Sequence, residues 1–334
     1  MSPDISPLDA STGRKRPRIS AVTPSFNQAA YLERTSHSIL SQNYSDLEYI
    51  IIDGGSTDGS VEIIQKYKQH LAYWISEPDK GQADAINKGF RRATGDLVVW
   101  INSDDLLLPN ALNIIAEAYG RHPDKILLGD VINFVDGQRI GSRLRQRNVS
   151  IENFVSVWKI YDFWHQPGTF VPRNLLGEYP YIDCSMHFYF DADWLCRLLA
   201  AGHQVHYIGE AVAAFRLHPQ SKTVSQGPEW MDDTRLVCSR YQSYLSPRER
   251  DYMPAGLELI AAGYLLNPDY GSYWNRGAAL QHLLLALKLS RQCLMRLQFW
   301  KMVVRLLSPR WFIAFVANRL KAGRETFPLP DSIS

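Results

Sequence analysis

The sequence predicts an α/β protein: a mostly parallel sheet with helices on both faces, followed by a mainly helical C-terminal extension. Three observations carry that expectation. Between Ile19 and Leu128, short apolar runs alternate with stretches of helical period, the rhythm of parallel strands joined by crossover helices. Within them, Tyr49-Ile50-Ile51-Ile52 is a continuous apolar run of the kind found in strands buried on both faces. After about Lys222 the pattern becomes largely helical.

Each element follows in order. Ile19-Ser20-Ala21-Val22 is the first strand, stopped by Thr23-Pro24, and Tyr31, Leu32, Ile39 and Leu40 then recur at helical spacing. The second strand ends at Asp53. Asp53-Gly54-Gly55-Ser56-Thr57-Asp58 is a turn that supplies an N-cap, and Val61, Ile64 and Tyr67 stripe the following helix. Leu71–Ile75 reads as a strand, Gln82–Ala93 as a helix, Leu97–Ile101 as a strand and Asn110–Tyr119 as a helix; Ile126–Leu128 closes the series. The rhythm breaks up from Val131 to about Pro180. A helix over Phe190–Ala201, with Trp194, Leu195, Leu198 and Leu199 on its apolar face, stops at Gly202, and Val205–Ile208 is a further strand.

The chain has 334 residues, 46% hydrophobic and 21% charged, with 36 Lys and Arg against 34 Asp and Glu. That composition excludes wholesale disorder, and a net charge of +2 does not mark a nucleic-acid binder. Cys184, Cys196, Cys238 and Cys293 are scattered with no C-x-x-C spacing. This argues against a zinc site and a disulfide framework and fits a reducing cytosol. Residues 1–18 are polar and hold no apolar stretch of signal-peptide length, so a cytoplasmic location is expected. No run approaches the roughly 18 apolar residues of a transmembrane span. The near-neutral total hides a partition: residues 19–269 carry 22 basic against 30 acidic side chains, whereas Tyr270 to Arg324 hold ten Lys or Arg and no Asp or Glu.

Ligands of open α/β sheets bind outside the carboxyl ends of the strands. Thr23-Pro24-Ser25-Phe26-Asn27 follows the first strand, Asp53 ends the second, and Asn102-Ser103-Asp104-Asp105 follows Leu97–Ile101. Each cluster taken singly also reads as turn chemistry. The adjacent carboxylates of Asp104 and Asp105 repel, and a divalent cation is their usual compensation. G-x-G-x-x-G, P-loop and H-E-x-x-H motifs are absent, which argues against dinucleotide oxidoreductases and P-loop phosphotransferases. The remaining pattern points to a metal-bridged phosphate ligand, with Mg²⁺ held by one or two carboxylates plus substrate phosphates.

The segments Ala21-Val22-Thr23-Pro24-Ser25-Phe26-Asn27, Ser38-Ile39-Leu40-Ser41-Gln42 and Ile51-Ile52-Asp53-Gly54-Gly55-Ser56-Thr57-Asp58-Gly59-Ser60 come first. Glu77-Pro78-Asp79-Lys80-Gly81-Gln82-Ala83-Asp84-Ala85-Ile86-Asn87-Lys88-Gly89, Ala93-Thr94-Gly95-Asp96 and Asn102-Ser103-Asp104-Asp105 follow in order. In this order and spacing the chain resembles the family 2 glycosyltransferases, inverting enzymes of the GT-A fold that use nucleotide-sugar donors. The resemblance covers about residues 18–222. It implies a tail over 1–17, a GT-A catalytic domain over 18–222 and a basic, mainly helical extension over 223–334.

By position, the resemblance places Thr23, Pro24, Asn27 and Asp53 against the nucleotide base and ribose, and Asp84 in the segment that holds the donor. Asn102 and Asp104 fall beside the ribose, and Asp105 with Asp104 at a divalent metal, Mn²⁺ or Mg²⁺. Two departures stand out. Many members carry two aspartates where this chain has Asp53-Gly54, and many carry Asp where it has Asn102. Inverting transfer needs a carboxylate other than the metal ligands to take the acceptor proton. Phe190-Asp191-Ala192-Asp193-Trp194 fits the family's helix-start pattern and makes Asp191 the candidate base, with Asp193 behind it. Asp at a helix start equally caps the helix and complements its dipole.

Trp164-His165-Gln166-Pro167 resembles a segment on the acceptor side, which implicates Gln166 and Pro167. Phe215-Arg216-Leu217-His218-Pro219-Gln220-Ser221-Lys222-Thr223 resembles a late loop that closes over the donor phosphates. There Arg216 or Lys222 would neutralise the diphosphate, and His218 would meet the metal or a phosphate. The implied donor is a UDP-sugar, and the acceptor a glycan or lipid-linked hydroxyl. Basic apolar-periodic stretches carrying Trp300 and Trp311 suit an anionic membrane surface; a helical subdomain with solvated charges fits them equally. A sugar nucleotidyltransferase and a degenerate nucleotide-sugar-binding protein stay open as alternatives.

Overall fold

The computed structural model describes residues 16–137, 140–159, 163–222, 230–267, 274–314 and 326–328. Of the expected tail, only Arg16 and Pro17 fall among them. The chain packs into two compact units. One comprises Met1–Arg147, Phe163–Leu217 and Thr326–Ser334; the other comprises Asn148–Asp162 and His218–Glu325. The helical unit thus takes in 148–162 as well as the chain from His218 on.

The first unit opens with β1 (Ile19–Ser25), α1 (Ala29–Leu40), β2 (Leu47–Asp53), α2 (Ser60–Tyr67), β3 (Tyr73–Ser76), α3 (Gln82–Arg92) and β4 (Leu97–Trp100). It continues through β5 (Leu106–Leu107), α4 (Ala111–Arg121), β6 (Ile126–Phe134) and β7 (Ile140–Leu144). After α5 (Ile151–Val155), which belongs to the second unit, come β8 (Thr169–Pro172), α6 (Phe190–Ala200), β9 (Val205–Arg216) and, near the C-terminus, β10 (Thr326–Pro328). Among the described residues the strands form one sheet in the order β10-β7-β6-β8-β4-β1-β2-β3, with β9 beside β6 and β5 beside β9.

Strands β3, β2, β1 and β4 run parallel, with Val22 opposite both Ile50 and Trp100, and Ser25 opposite Asp53. That half matches the expected parallel sheet. Beyond β4 the sheet turns mixed, since β8 is antiparallel to both β4 and β6 while β9 runs parallel to β6. Both faces are covered. Ile19, Ala21, Ile51 and Val99 pack with Leu32, Ile39, Leu112 and Ile115 of α1 and α4. On the other face α3 lies directly on β1, because Gly89 has no side chain there; a Cβ would sit 2.2 Å from a Val22 methyl.

Three strands differ from the sequence expectation. β3 starts at Tyr73, since Lys68–His70 continues as a 3₁₀ turn closed by Leu71 N–H on the Lys68 carbonyl (3.3 Å). β6 does not stop at Leu128 but bends through an irregularity at Leu128–Asp130 and continues to Phe134. Gly129 permits the bend, as a Cβ there would meet a Val212 methyl at 2.3 Å, and a bulge and a turn carry the same residue signal. β9 likewise passes Gly209 (φ +77°) and runs on to Arg216.

The second unit adds α7 (Trp230–Arg240), α8 (Pro247–Leu265), α9 (Arg276–Leu289) and α10 (Leu297–Leu307) to α5. The Ser246 hydroxyl caps α8 on Glu249 N–H, and Pro247 fills its first position. Trp158 lies on Gly256 of α8 and donates to Glu249 (3.1 Å), which also receives Arg296 (2.8 Å). Leu297, Trp300, Val304 and Leu307 recur at i, i+3, i+7 and i+10 along α10, and all four are exposed. No helix among the described residues is long and apolar enough to cross a membrane.

Candidate active site

At the carboxyl end of β2, Asp53 is fully buried and its two oxygens receive four donors. Oδ1 accepts from Ser56 Oγ (2.5 Å); Oδ2 accepts from Gly55 N (3.1 Å), Ser56 N (2.9 Å) and Ser76 Oγ (2.6 Å). It therefore builds the turn after β2 and ties it to β3. The loop after β1 is stitched to the same turn. Asn27, in the left-handed region (φ 52°), accepts Thr57 N–H at 3.0 Å, and its own N–H reaches Ser56 Oγ at 2.8 Å. Thr23 and Pro24 lie within β1, and the buried Thr23 hydroxyl accepts from Tyr49 (3.1 Å). Burial pushes that phenol up to about 12, so it stays a neutral donor.

Gly54, the first departure from the family pattern, has a specific neighbour. A Cβ at this position would lie 2.9 Å from Asp79 Oδ2 and 3.2 Å from a Phe26 ring carbon. Asp79 thus occupies the room that Gly54 leaves, beside the exposed Phe26 ring. Sequence reasoning did not single out Asp79 as a site residue. The signal for it was the missing second aspartate together with an acid in the Glu77-Pro78-Asp79 loop.

The start of α3 joins the rim to β4. Asp84 receives Lys80 N–H (3.2 Å) and lies 3.4 Å from Lys88 one turn on, while Gln82 Nε2 donates to Asn102 Oδ1 at 2.8 Å. Asn87 is buried and grips the backbone of Ile182 in both directions, at 2.8 and 2.9 Å. After β4, Asp104 is half-buried and Asp105 is buried. Asp105 accepts from Arg216 N–H and from Asn102 Nδ2, each at 3.1 Å. Burial first, and then the Asp104 charge, hold the Asp105 carboxyl well above the usual range. Thr35 Oγ1 contacts the carbonyls of Ser103 and Asp105, each at 2.8 Å, and so pins the turn from α1.

Arg216 lies against the same turn. Its side chain is fully buried, with Nε on the Asp104 carbonyl (2.8 Å), Nη1 on Asp136, and the guanidinium packed over Tyr31 and Phe134. In this arrangement it braces the Asp104–Asp105 turn. Gln166 is also buried and donates to the Trp100 carbonyl at 2.9 Å, next to buried Pro167; its Oε1 has no hydrogen-bond partner among the described residues. His165 packs edge-on against Phe215.

Helix α6 docks through Trp194, whose ring centroid lies 4.7 Å from that of Trp100 and 6.1 Å from that of Phe90. Asp191 sits one turn earlier, half-buried, with Oδ1 on Ala192 N–H at 2.8 Å. Asp193 is buried within the same first turn. The Trp194–Trp100 contact thus anchors α6 beside the strand that leads into Asn102–Asp105. His218 and Lys222 belong to the second unit, where His218 Nδ1 lies 3.2 Å from Gln220 Oε1 and Lys222 is exposed.

The family model for Glycosyl transferase family 2 matches residues 20–198, more than half of the chain. The chain belongs to glycosyl transferase family 2. Similar members include the putative teichuronic acid biosynthesis glycosyltransferase TuaG of Bacillus subtilis, 41% identical over 95 residues, 27% of this chain and 37% of that protein. A PGL/p-HBAD biosynthesis glycosyltransferase of Mycobacterium bovis is 34% identical over 121 residues, 35% of this chain and 47% of that protein. The matched stretch therefore spans under half the length of either relative.

Among solved structures, residues 1–349 of Staphylococcus aureus TarS with UDP-GlcNAc align with TM-score 0.59 at 16% identity, covering 92% of each chain. A Pyrobaculum calidifontis mannosyltransferase with GDP-Man and Mn²⁺ aligns with TM-score 0.53 at 18% identity, covering 92% of this chain and 88% of that one. At such identities the likeness speaks to the fold alone, and the family 2 fold is the GT-A fold that the motifs implied.

The first unit brings the ends of β1, β2 and β4, the start of α3 and the anchor of α6 into one linked set. Among the described residues no three His, Cys, Asp or Glu side chains converge as a metal-binding group. The donor set fits a cation that takes few protein ligands. Asp104 and Asp105 are adjacent carboxylates, and the direct side-chain partner of Asp105 is the neutral Asn102.

Proposed function

We propose that this family 2 protein is an inverting glycosyltransferase. It would move a sugar from a nucleotide diphosphate donor, UDP-sugar first, to a hydroxyl of a glycan or lipid-linked acceptor in surface polysaccharide or glycolipid synthesis. The observation that carries this reading is the joining of the β4-end carboxylates, Asp104 and Asp105, to the first turn of α6 through the Trp100–Trp194 contact. The names of the teichuronic acid and PGL relatives, and the UDP-GlcNAc and GDP-Man held by the structural neighbours, support the substrate class.

In this reading the acceptor oxygen attacks the anomeric carbon while its proton passes to the Asp191 carboxylate. The bond from that carbon to the diphosphate oxygen breaks on the opposite face. A divalent cation on Asp104 and Asp105 would supply charge stabilisation to the departing diphosphate. Arg216 keeps the carboxylate turn in place, Asp84 and Asn102 line the donor side, and Gln166 and Pro167 the acceptor side.

The test is a thermal-shift and product screen with UDP-, GDP-, dTDP- and CMP-sugars, with and without Mn²⁺. Stabilisation by one donor and release of its nucleoside diphosphate are expected. Release of pyrophosphate would mean a nucleotidyltransferase, and binding without turnover on any acceptor would mean a degenerate binding protein. A peripheral membrane role rests on the exposed α10 stripe with Lys301 and Arg305 beside it. Full-length protein that fails to float with anionic liposomes at low salt would overturn that role.

A further inference from the structure

The acid expected to read the donor base is not free to do so. Asp53 is fully buried, with Gly55 N–H, Ser56 N–H and Ser76 Oγ on Oδ2 and Ser56 Oγ on Oδ1. A ligand donor would have to open the turn that covers it.

The neighbouring residue reports which acid takes that place. Gly54 has no positive φ, so its backbone does not require glycine. Its space does: an added Cβ would lie 2.9 Å from Asp79 Oδ2. The carboxylate of Asp79 rests over the Gly54 backbone at the carboxyl end of β2, and its orientation is set by Gly81 N–H on Oδ1 at 2.8 Å. Oδ2 points toward the gap between Gly54 and Phe26, whose ring is 59% exposed and 3.2 Å from the same Cβ position. An acceptor oxygen beside an exposed aromatic face is suited to a flat heterocycle with an N–H on its edge.

We propose that Asp79, over the gap left by Gly54, is the residue that selects the donor's base, favouring bases with a ring N–H. The proposal rests on the nucleotide-sugar reading of this site. Uracil and thymine carry N3–H and guanine carries N1–H, so each donates to Asp79 Oδ2. Cytosine N3 and adenine N1 present lone pairs at the corresponding positions and meet the carboxylate with repulsion. Burial, reinforced by Asp84 and Asp53, pushes Asp79 above the ordinary carboxylate range, opposed by Gly81 N–H and Lys88. A ring N–H donated to the carboxylate relieves part of that cost.

The experiment is calorimetric binding of UDP, GDP, CDP and ADP to the full chain and to two variants. Wild type is expected to prefer UDP or GDP over CDP and ADP by about 10- to 100-fold, the range of one hydrogen bond to a charged group. Asp79→Asn, whose amide both donates and accepts, should lose most of that ratio while unfolding at an unchanged temperature. Gly54→Ala should do the same with Asp79 still present, because its Cβ pushes the carboxylate aside. Unaltered base ratios in both variants, or equal loss of affinity for every nucleotide, would overturn the proposal and leave the nucleotide reading intact. Wild-type protein that binds none of the four would overturn that reading, and the proposal with it.

Discussion

Strands β3, β2, β1 and β4 run parallel and bring Asp53, Thr23 and Asn102 to one edge simply by ending there. Strands β6, β8 and β9 reverse or bend, and the mixed half reaches the same edge through side chains, Gln166 to the Trp100 carbonyl and Arg216 to the Asp104–Asp105 turn. The parallel half therefore supplies loops, and the mixed half supplies bracing. Chemistry should fail when a group on the rim or on α6 is altered, and rigidity should fail when a brace is removed.

The largest separation of the two is expected at α6. Asp191→Asn leaves Trp194, Trp100 and the Ala192 N–H contact able to form, so the fold and donor binding should persist. Turnover should fall by roughly 10²- to 10⁴-fold, the usual contribution of a positioned general base. Steady-state transfer rates alongside calorimetric donor affinity check this. Undiminished turnover would return Asp191 to the role of a helix cap.

A smaller and different effect is expected from Arg216→Met. Asp136 is 44% exposed and keeps Arg34 at 2.9 Å, so no buried charge is stranded; the loss is that of hydrogen bonds made by a charged donor, about 3 kcal/mol at most. Arg216→Lys should recover little, because an ammonium cannot serve Asp136 and the Asp104 carbonyl in one plane. Denaturant melts of the three proteins decide it. If Arg216 instead touched the diphosphate, the variants would keep their stability and lose donor affinity alone.

The difference between the halves also explains what was readable in advance. An apolar run that stops at Thr23 or Asp53 is a local signal, and parallel strand ends share an edge, so the rim clusters could be named from residue order. Whether Asp53 Oδ2 has a lone pair to spare depends on Ser76, which arrives from the next strand. Arg216 reads as a phosphate ligand because it is basic and sits in a late loop. Its burial depends on Asp136, 80 residues earlier in the chain. Gly129 and Gly209 read as strand ends because a bulge and a turn use the same residue. The neighbours that distinguish them, such as Val212 over Gly129, are set only once the sheet is assembled.

The smallest effect lies in the parallel half, on the edge opposite the site. Glu48 is buried and accepts from Ser20 Oγ (2.5 Å), Thr94 N (2.7 Å) and Thr94 Oγ1 (2.8 Å), with Arg18 at 3.3 Å. Burial alone would raise its pKa, but these donors outweigh it and leave the carboxyl below its ordinary value of 4.5. A carboxyl depressed by folding binds protons more readily in the unfolded chain, so its stabilisation is complete above about pH 4.5 and disappears as the pH falls through the folded value. Glu48→Gln leaves at least one of those donors without an acceptor and should cost about 2 kcal/mol at pH 7. The gap between variant and wild type should narrow as melts are taken from pH 6 down toward pH 3. A gap that stayed constant with pH would mean that Glu48 acts there through packing, and that the charge on this edge does nothing to hold the parallel strands in register.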